Sequence, residues 1–182
     1  MTSTAPIDDV ATRPSLQLIS ELEQTLYREA RLLDQERLDE WMEMLAEDLF
    51  YYMPAVETRY RNDRTDTLGD VSRMAYYNDD LDMIFTRIER LRTGTAWSED
   101  PRTRYQHLIT NIEVALTENP DEYKVYSNFF AFRSRNERDE DKPLVGCRED
   151  LWRHQDGNYL LAKRILTPKW NILLSKNLNL FL

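Results

Sequence analysis

A chain of 182 residues that is 41% hydrophobic and 31% charged, with only 4 glycines and 7 prolines, has a globular makeup and enough length to bury a core without disulfides or a structural metal. Its formal charge of −9 disfavours nucleic acid and anionic membranes as partners, because the counterion release that drives such binding needs a cationic face. A lone cysteine, Cys147, excludes an intrachain disulfide, and two histidines, His107 and His154, are too few for the usual Cys/His zinc sites, so the expected compartment is a reducing cytoplasm.

No run approaches the roughly 18 consecutive apolar residues of a membrane span, and residues 1–14 lack an apolar signal core. These residues are expected to form a mobile arm before a single α+β domain over 15–182. Leu18, Leu22, Leu26, Ala30 and Leu33 recur every three or four residues, the stripe of an amphipathic helix. After a link near Asp34 and Gln35, Leu38, Trp41 and Leu45 repeat the pattern and predict a second helix folded back on the first.

Leu49 to Val56 is rich in strand-favouring residues, with Pro54 marking an edge or bulge because it cannot donate to a ladder. Residues 57–78 are polar and read as a long connection of the kind that covers a site or meets a partner. Asp79 or Asp80 can cap a third helix carrying Leu81, Ile84, Phe85, Ile88 and Leu91, with Gly94 near its end. From His107 to Leu116 the two-residue alternation of a strand appears.

Tyr123 to Ser134 and Val145 to Arg153 predict two further strands, the latter joined through Asp156-Gly157-Asn158, a strong hairpin signal, to a last strand at Tyr159 to Thr167. In Tyr123 to Ser134, Val125, Phe129 and Ala131 face one way and Tyr126, Phe130 and Phe132 the other, so something besides the helices should cover the second face. The tail from Trp170 to Leu182 is apolar enough that it must dock, within the chain or across an interface. Helices first and an antiparallel sheet afterwards give an α+β architecture.

Chemistry is sparse. No phosphate loop, nucleophile elbow or metal-binding helix motif is present. His107 with Asp34 or Asp48 could do acid–base work, although such a histidine more often serves as a hydrogen-bonded structural residue. His154 falls at the hairpin turn, where a solvated side chain is expected, and Cys147 lies in a strand as a small hydrophobe. Trp41, Trp97, Trp152 and Trp170 can line a cavity or an interface, but core packing is the commoner use of each.

A family likeness rests on collinear pieces. Tyr27 to Asp34 reads as an aromatic-x-E-A-x-L-L-D stretch, followed by Trp41, Leu45 to Asp48, Tyr51, Met53 and Pro54. The most specific piece is Ala96-Trp97-Ser98-Glu99-Asp100-Pro101, leading through Arg104 to His107-Leu108-Ile109-Thr110-Asn111. Arg133 to Arg135, Glu137 and Arg138; Arg148, Asp150 and Arg153; Ala162 to Arg164; and the ending Asn177 to Leu182 complete the set. In these features the sequence resembles the β subunits of Rieske-type aromatic-ring-hydroxylating dioxygenases, departing from the pattern at Arg102, often a proline there, and Gln106, often an arginine.

The resemblance implies a cone-shaped α+β fold of the scytalone dehydratase and nuclear transport factor type, with helices packed on a strongly curved, mainly antiparallel sheet. It implies a structural subunit without catalytic, cofactor or metal ligands of its own. A Rieske 2Fe–2S cluster and a mononuclear Fe(II) would reside in a larger α subunit, in a three-plus-three hexamer with ferredoxin and reductase as wider partners. Trp97, Asp100, Arg104, His107, Asn177, Leu178, Leu180, Phe181 and Leu182 are the residues expected at, or supporting, the subunit interface. Two other readings stay open at this stage: an autonomous lyase, isomerase or small-molecule binder working through His107, and a transport or adaptor module using an apolar sheet face.

Overall fold

The computed structural model describes residues 13–55, 75–93, 103–134, 143–170 and 180–182. The first helix, α1 (Leu16–Asp34), starts where the Ser15 side chain accepts from the Leu18 N–H at 3.1 Å. It stops at Glu36, whose φ of 54° turns the chain out of the helix, while the Arg37 N–H returns to Leu32 O and the Glu36 N–H to Leu33 O. Leu22, Leu26, Ala30 and Leu33 are buried along it as the spacing requires, and so is Glu29.

The second helix is much shorter than its apolar repeat suggests. α2 (Leu38–Met42) is a single turn, and Leu45, expected to continue it, opens β1 (Leu45–Pro54) as the register partner of Leu161. Three apolar residues at helical spacing could not settle the matter, and pairing with the sheet decided it. The described part of the polar connection holds β2 (Ala75–Asp79), a strand not anticipated; residues 56–74, most of that connection, lie outside the described residues. β2 pairs antiparallel with β1, and the register slips at Met53/Pro54, the irregularity that Pro54 foretold. α3 (Leu81–Arg92) is capped by Asp80, which accepts from the Met83 N–H at 2.9 Å, and buries Ile84 and Ile88 while Phe85 stays exposed. Gly94 lies outside the described residues; Thr93 closes the helix.

Four long strands complete a six-stranded sheet: β3 (Arg104–Leu116), β4 (Glu122–Ser134), β5 (Leu144–Gln155) and β6 (Asn158–Pro168), in the order β2-β1-β6-β5-β4-β3. Every neighbouring pair is antiparallel except β1 with β6. The β5–β6 turn has positive φ at both Asp156 and Gly157, 52° and 79°, the geometry that the Asp-Gly pair favours. Strict alternation in β3 fails midway. Asn111 adopts φ 53° in a bulge between Thr110 and Glu113, so buried Ile109 and Val114 share a face although they are five residues apart.

The sheet wraps α1. Tyr159 of β6 donates to Glu21 at 2.7 Å, Glu29 meets β5 and β6 in the helix middle, and Asp34 at the helix end reaches β3. On β4, Val125, Phe129 and Ala131 lie inside, whereas Tyr126, Phe130 and Phe132 are exposed on the outer face. Phe130 stands between Leu108 and Val145 in register, and these three form an exposed apolar row across three strands.

Close packing at one glycine is testable. A Cβ on Gly146 would lie 2.6 Å from the Phe129 ring and 2.7 Å from the Thr167 carbonyl oxygen. Gly146→Ala should therefore lower stability by about 1–3 kcal/mol, read as a reduced urea midpoint with an unchanged slope.

Candidate functional site

A fully buried carboxylate on an amphipathic helix demands an explanation, because an unpaired charge without water is strongly disfavoured. Glu29 falls three residues after Leu26 and four before Leu33, on the buried stripe of α1, with no solvent exposure. Arg164 of β6 donates to its two oxygens at 2.7 and 2.8 Å, and the Trp41 indole N–H adds a third bond at 3.1 Å. Arg164 also grips Asp150, its register partner on β5, through Nε at 2.8 Å and Nη2 at 2.7 Å. Strand alternation places Arg148, Asp150 and Trp152 together on the inner face of β5, and the Trp152 indole donates to Asp150 at 3.3 Å.

Two carboxylates and two guanidiniums balance in this cluster, but the partners are shared unequally. Arg164 takes four short bonds, whereas Arg148 reaches Glu29 only at 3.4 Å and lies 5.8 Å from the centre of the Phe129 ring. Burial works against both cations. For Arg164 the charges of Asp150 and Glu29 outweigh it and hold the pKa well above the ordinary value, while for Arg148 burial and the neighbouring Arg164 charge prevail and lower it. Burial would push the Glu29 carboxyl up; the charges of Arg164 and Arg148, with the hydrogen bonds from Arg164 and Trp41, keep it below the usual carboxylate range.

The chain's last described residues end in this cluster. Leu180, Phe181 and Leu182 are all buried. Tyr77 of β2 donates to Leu180 O at 2.6 Å, and the His107 Nε2 of β3 lies 3.0 Å from Phe181 O. Tyr51 of β1 donates to Leu182 O at 2.6 Å and accepts from the Leu182 N–H at 2.8 Å, and Arg164 donates to the same Leu182 oxygen at 3.1 Å. The Phe181 ring packs on Trp41 with centroids 4.5 Å apart. Burial pushes the Tyr51 phenol up to about 12 and that of Tyr77 well above its ordinary value, so both stay neutral donors.

The acid–base pair considered from sequence does form, but in a closed setting. His107 Nδ1 lies 2.6 Å from Asp34 Oδ1, and the same carboxylate accepts from the His107 backbone N–H at 3.0 Å and from the Gln106 side chain at 2.7 Å. A carbonyl oxygen can only accept, so Nε2 must carry a hydrogen toward Phe181 O, and Nδ1 is occupied by Asp34. Both ring nitrogens thus face partners within the chain, and only 2% of the side chain is exposed. Asp48, the other carboxylate considered, instead pairs with Arg153 at 2.9 Å.

Of the residues expected at an interface, His107, Leu180, Phe181 and Leu182 come together inside this chain, and Arg104 stands exposed at the start of β3. Trp97, Asp100, Asn177 and Leu178 lie outside the described residues. His154 is exposed at the end of β5, just before the turn and against the Tyr159 ring; Cys147 is half-buried in β5. A groove of about 700 Å³ runs beside α1 and β3, lined among others by Tyr27, Arg31, Asp34 and Leu108. Among the described residues, no three or more His, Cys, Asp or Glu side chains gather to hold a metal, and no helix is long and apolar enough to cross a membrane. Sequence reasoning assigned no role to Glu29, Arg148, Asp150 or Arg164, although the helical spacing of Glu29 with Leu22, Leu26 and Leu33 was the available signal.

Comparison with known proteins gives the chain a family setting. The ring hydroxylating beta subunit family matches residues 28–173. The biphenyl 2,3-dioxygenase subunit beta of Rhodococcus jostii (strain RHA1) is 36% identical over 182 residues, covering 99% of this chain and 93% of that one. Among solved structures, naphthalene 1,2-dioxygenase with indole bound in its active site superposes with a TM-score of 0.83 at 25% identity, covering 93% of this chain and 88% of the other. A Novosphingobium aromaticivorans protein provisionally assigned as a scytalone dehydratase shares the fold, with a TM-score of 0.61 at 16% identity over 85% of this chain and 86% of its own.

Breaking the central ion cluster should be severe. Arg164→Met leaves Glu29 and Asp150 buried without their main partner and is expected to cost about 3–5 kcal/mol in a denaturant titration. Because the folded pKa of Glu29 is lowered, its stabilising contribution is complete above the ordinary glutamate range and is lost as pH falls through the folded value. Wild-type stability should thus fall more steeply on acidification than that of Glu29→Gln. Equal slopes in thermal melts across that range would remove Glu29 from the explanation.

Proposed function

From the premise that this chain belongs to the ring-hydroxylating dioxygenase β subunits, we propose that its own work is assembly and support, with catalysis left to a larger α subunit. The observation that carries this reading is the pairing of the interior's charged and imidazole groups within the chain. Glu29, Asp150 and Arg164 are bound to one another, Tyr51 and Arg164 to the tail, and the one imidazole there has a partner at each nitrogen, while Arg148 keeps two nitrogens without a hydrogen-bond partner. What remains accessible is surface. The exposed row of Leu108, Phe130 and Val145, with Phe132 beside it, supports contact with another subunit, since contiguous apolar surface is unfavourable in water.

In this reading a Rieske 2Fe–2S cluster and a mononuclear Fe(II) belong to the α subunit, and three α and three β chains form the terminal oxygenase. That enzyme adds both atoms of dioxygen to an aromatic ring, giving a cis-dihydrodiol, with electrons drawn from NAD(P)H through a reductase and a ferredoxin. An aromatic hydrocarbon such as the biphenyl named for the Rhodococcus relative is the substrate class that this kinship supports. The complex works in the cytoplasm, without nucleic acid or membrane as a partner. Trp97, Asp100, Arg104, Asn177 and Leu178 contribute to subunit contacts, while His107, Leu180, Phe181 and Leu182 support them from within by fixing the sheet.

The test is purification of the tagged chain from its own host, with native mass, iron content and visible spectrum recorded. Recovery with a larger, iron-bearing chain and a Rieske-type absorption is the expected outcome. A colourless, iron-free assembly of this chain alone would contradict it. Removing Leu180 to Leu182 should reduce recovered hexamer severalfold while leaving the turnover per iron of the remaining complex unchanged.

A further inference from the structure

The manner in which the tail is held differs from ordinary core packing. A main-chain oxygen of each residue from Leu180 to Leu182 is met by side chains, and those side chains come from four different strands: Tyr77 of β2, His107 of β3, Tyr51 of β1 and Arg164 of β6. The Leu182 N–H is met as well, by the Tyr51 oxygen. Beyond these polar contacts, the Phe181 ring lies on Trp41 and the Leu182 side chain is fully enclosed. Side chains that read a main chain, together with enclosed places for its apolar groups, are what a protein uses to bind an extended peptide.

We propose that the space enclosed by α2 and strands β1, β2, β3 and β6 is a peptide-binding site, filled by the chain's own Leu180-Phe181-Leu182, that accepts the same apolar segment when a separate molecule supplies it. The ligand class is a short apolar peptide with an aromatic residue between two aliphatic ones. Its main chain is fixed by two neutral phenols, an imidazole and a guanidinium. Three of the receptor groups are positioned independently of the tail: Arg164 by Glu29 and Asp150, His107 by Asp34, and the Trp41 indole by Glu29. That part of the site is organised before its ligand arrives, which limits the ordering that binding requires.

In the intact chain, the covalent link presents the tail at a high effective concentration, so a free peptide cannot compete. The experiment therefore uses a full-length Phe181→Glu variant, which places a carboxylate against Trp41 and disfavours docking of the linked tail. The probe is the synthetic tetrapeptide Asn-Leu-Phe-Leu, the sequence of residues 179–182. Adding it should raise the variant's melting temperature by several degrees in a dose-dependent manner and leave the wild type unmoved. No shift in the variant, or the same shift in both proteins, overturns the proposal.

Should Phe181→Glu not fold, a protease site inserted after Trp170 and cut once the full chain has folded provides the second route. The cut protein should take up labelled tetrapeptide and release it to excess unlabelled peptide, and failure to take it up overturns the proposal. Tyr77→Phe in the cut protein, which removes the donor to Leu180 O, should weaken uptake roughly 2- to 10-fold. Unchanged uptake there would show that the peptide binds elsewhere, and that also overturns it.

Discussion

Arg164 carries its charge in a place with no solvent access, and much of the interior is arranged to make that tolerable. Its guanidinium is planar and offers donors in a fixed fork, so one side can serve Asp150 across the β5–β6 ladder while the other serves Glu29 on α1. This ties a helix to the middle of a sheet at a defined position along the helix axis. An apolar contact would tolerate sliding by a fraction of a turn, whereas a bidentate ion pair in a dry interior does not. Further fixed points at the ends of α1, Glu21 with Tyr159 and Asp34 with His107, then set how the sheet curls around it.

The same cluster extends to the end of the described chain. Arg164 and Tyr51 reach beyond the carboxylates to the tail, and Tyr77 and His107 take hold of the preceding two residues. Groups of the kind that catalyse reactions elsewhere, an imidazole beside a carboxylate and phenols beside a guanidinium, are here consumed by one another and by main-chain oxygens. The paired charges of Glu29, Asp150 and Arg164 hold one another at fixed positions, which favours a rigid interior. The outward-facing apolar row of Leu108, Phe130 and Val145 is a consequence of the two-sided apolar pattern of β4, with only the inner side covered within the chain.

Much of this was legible in the residues. The caps of α1 and α3, the hairpin at Asp156-Gly157, the irregularity at Pro54 and the four long strands follow from local rules that operate over a few residues. Three features were not. Leu45 continues a helical spacing on paper but is a strand residue because Leu161 lies beside it. β2 is short and lies beyond a polar stretch, and it is a strand because β1 offers it an edge. Asn111 interrupts a perfect alternation because its short polar side chain tolerates positive φ, and the resulting bulge turns the later half of β3 over.

By itself the sequence determined the class of fold, the family and the apolar character of the tail, because periodicity, capping and motif order are properties of neighbouring residues. Only the tertiary structure decided that Glu29, Arg148, Asp150 and Arg164 form one buried cluster, that His107 faces Phe181 as well as Asp34, and that the tail closes the interior. The physical reason is separation along the chain. Glu29 and Arg164 stand 135 residues apart, and Tyr51 and Leu182 stand 131 apart, so no local pattern relates them. Each is an unremarkable polar residue in its own segment and becomes a partner only when the sheet and α1 bring the two into a space without water.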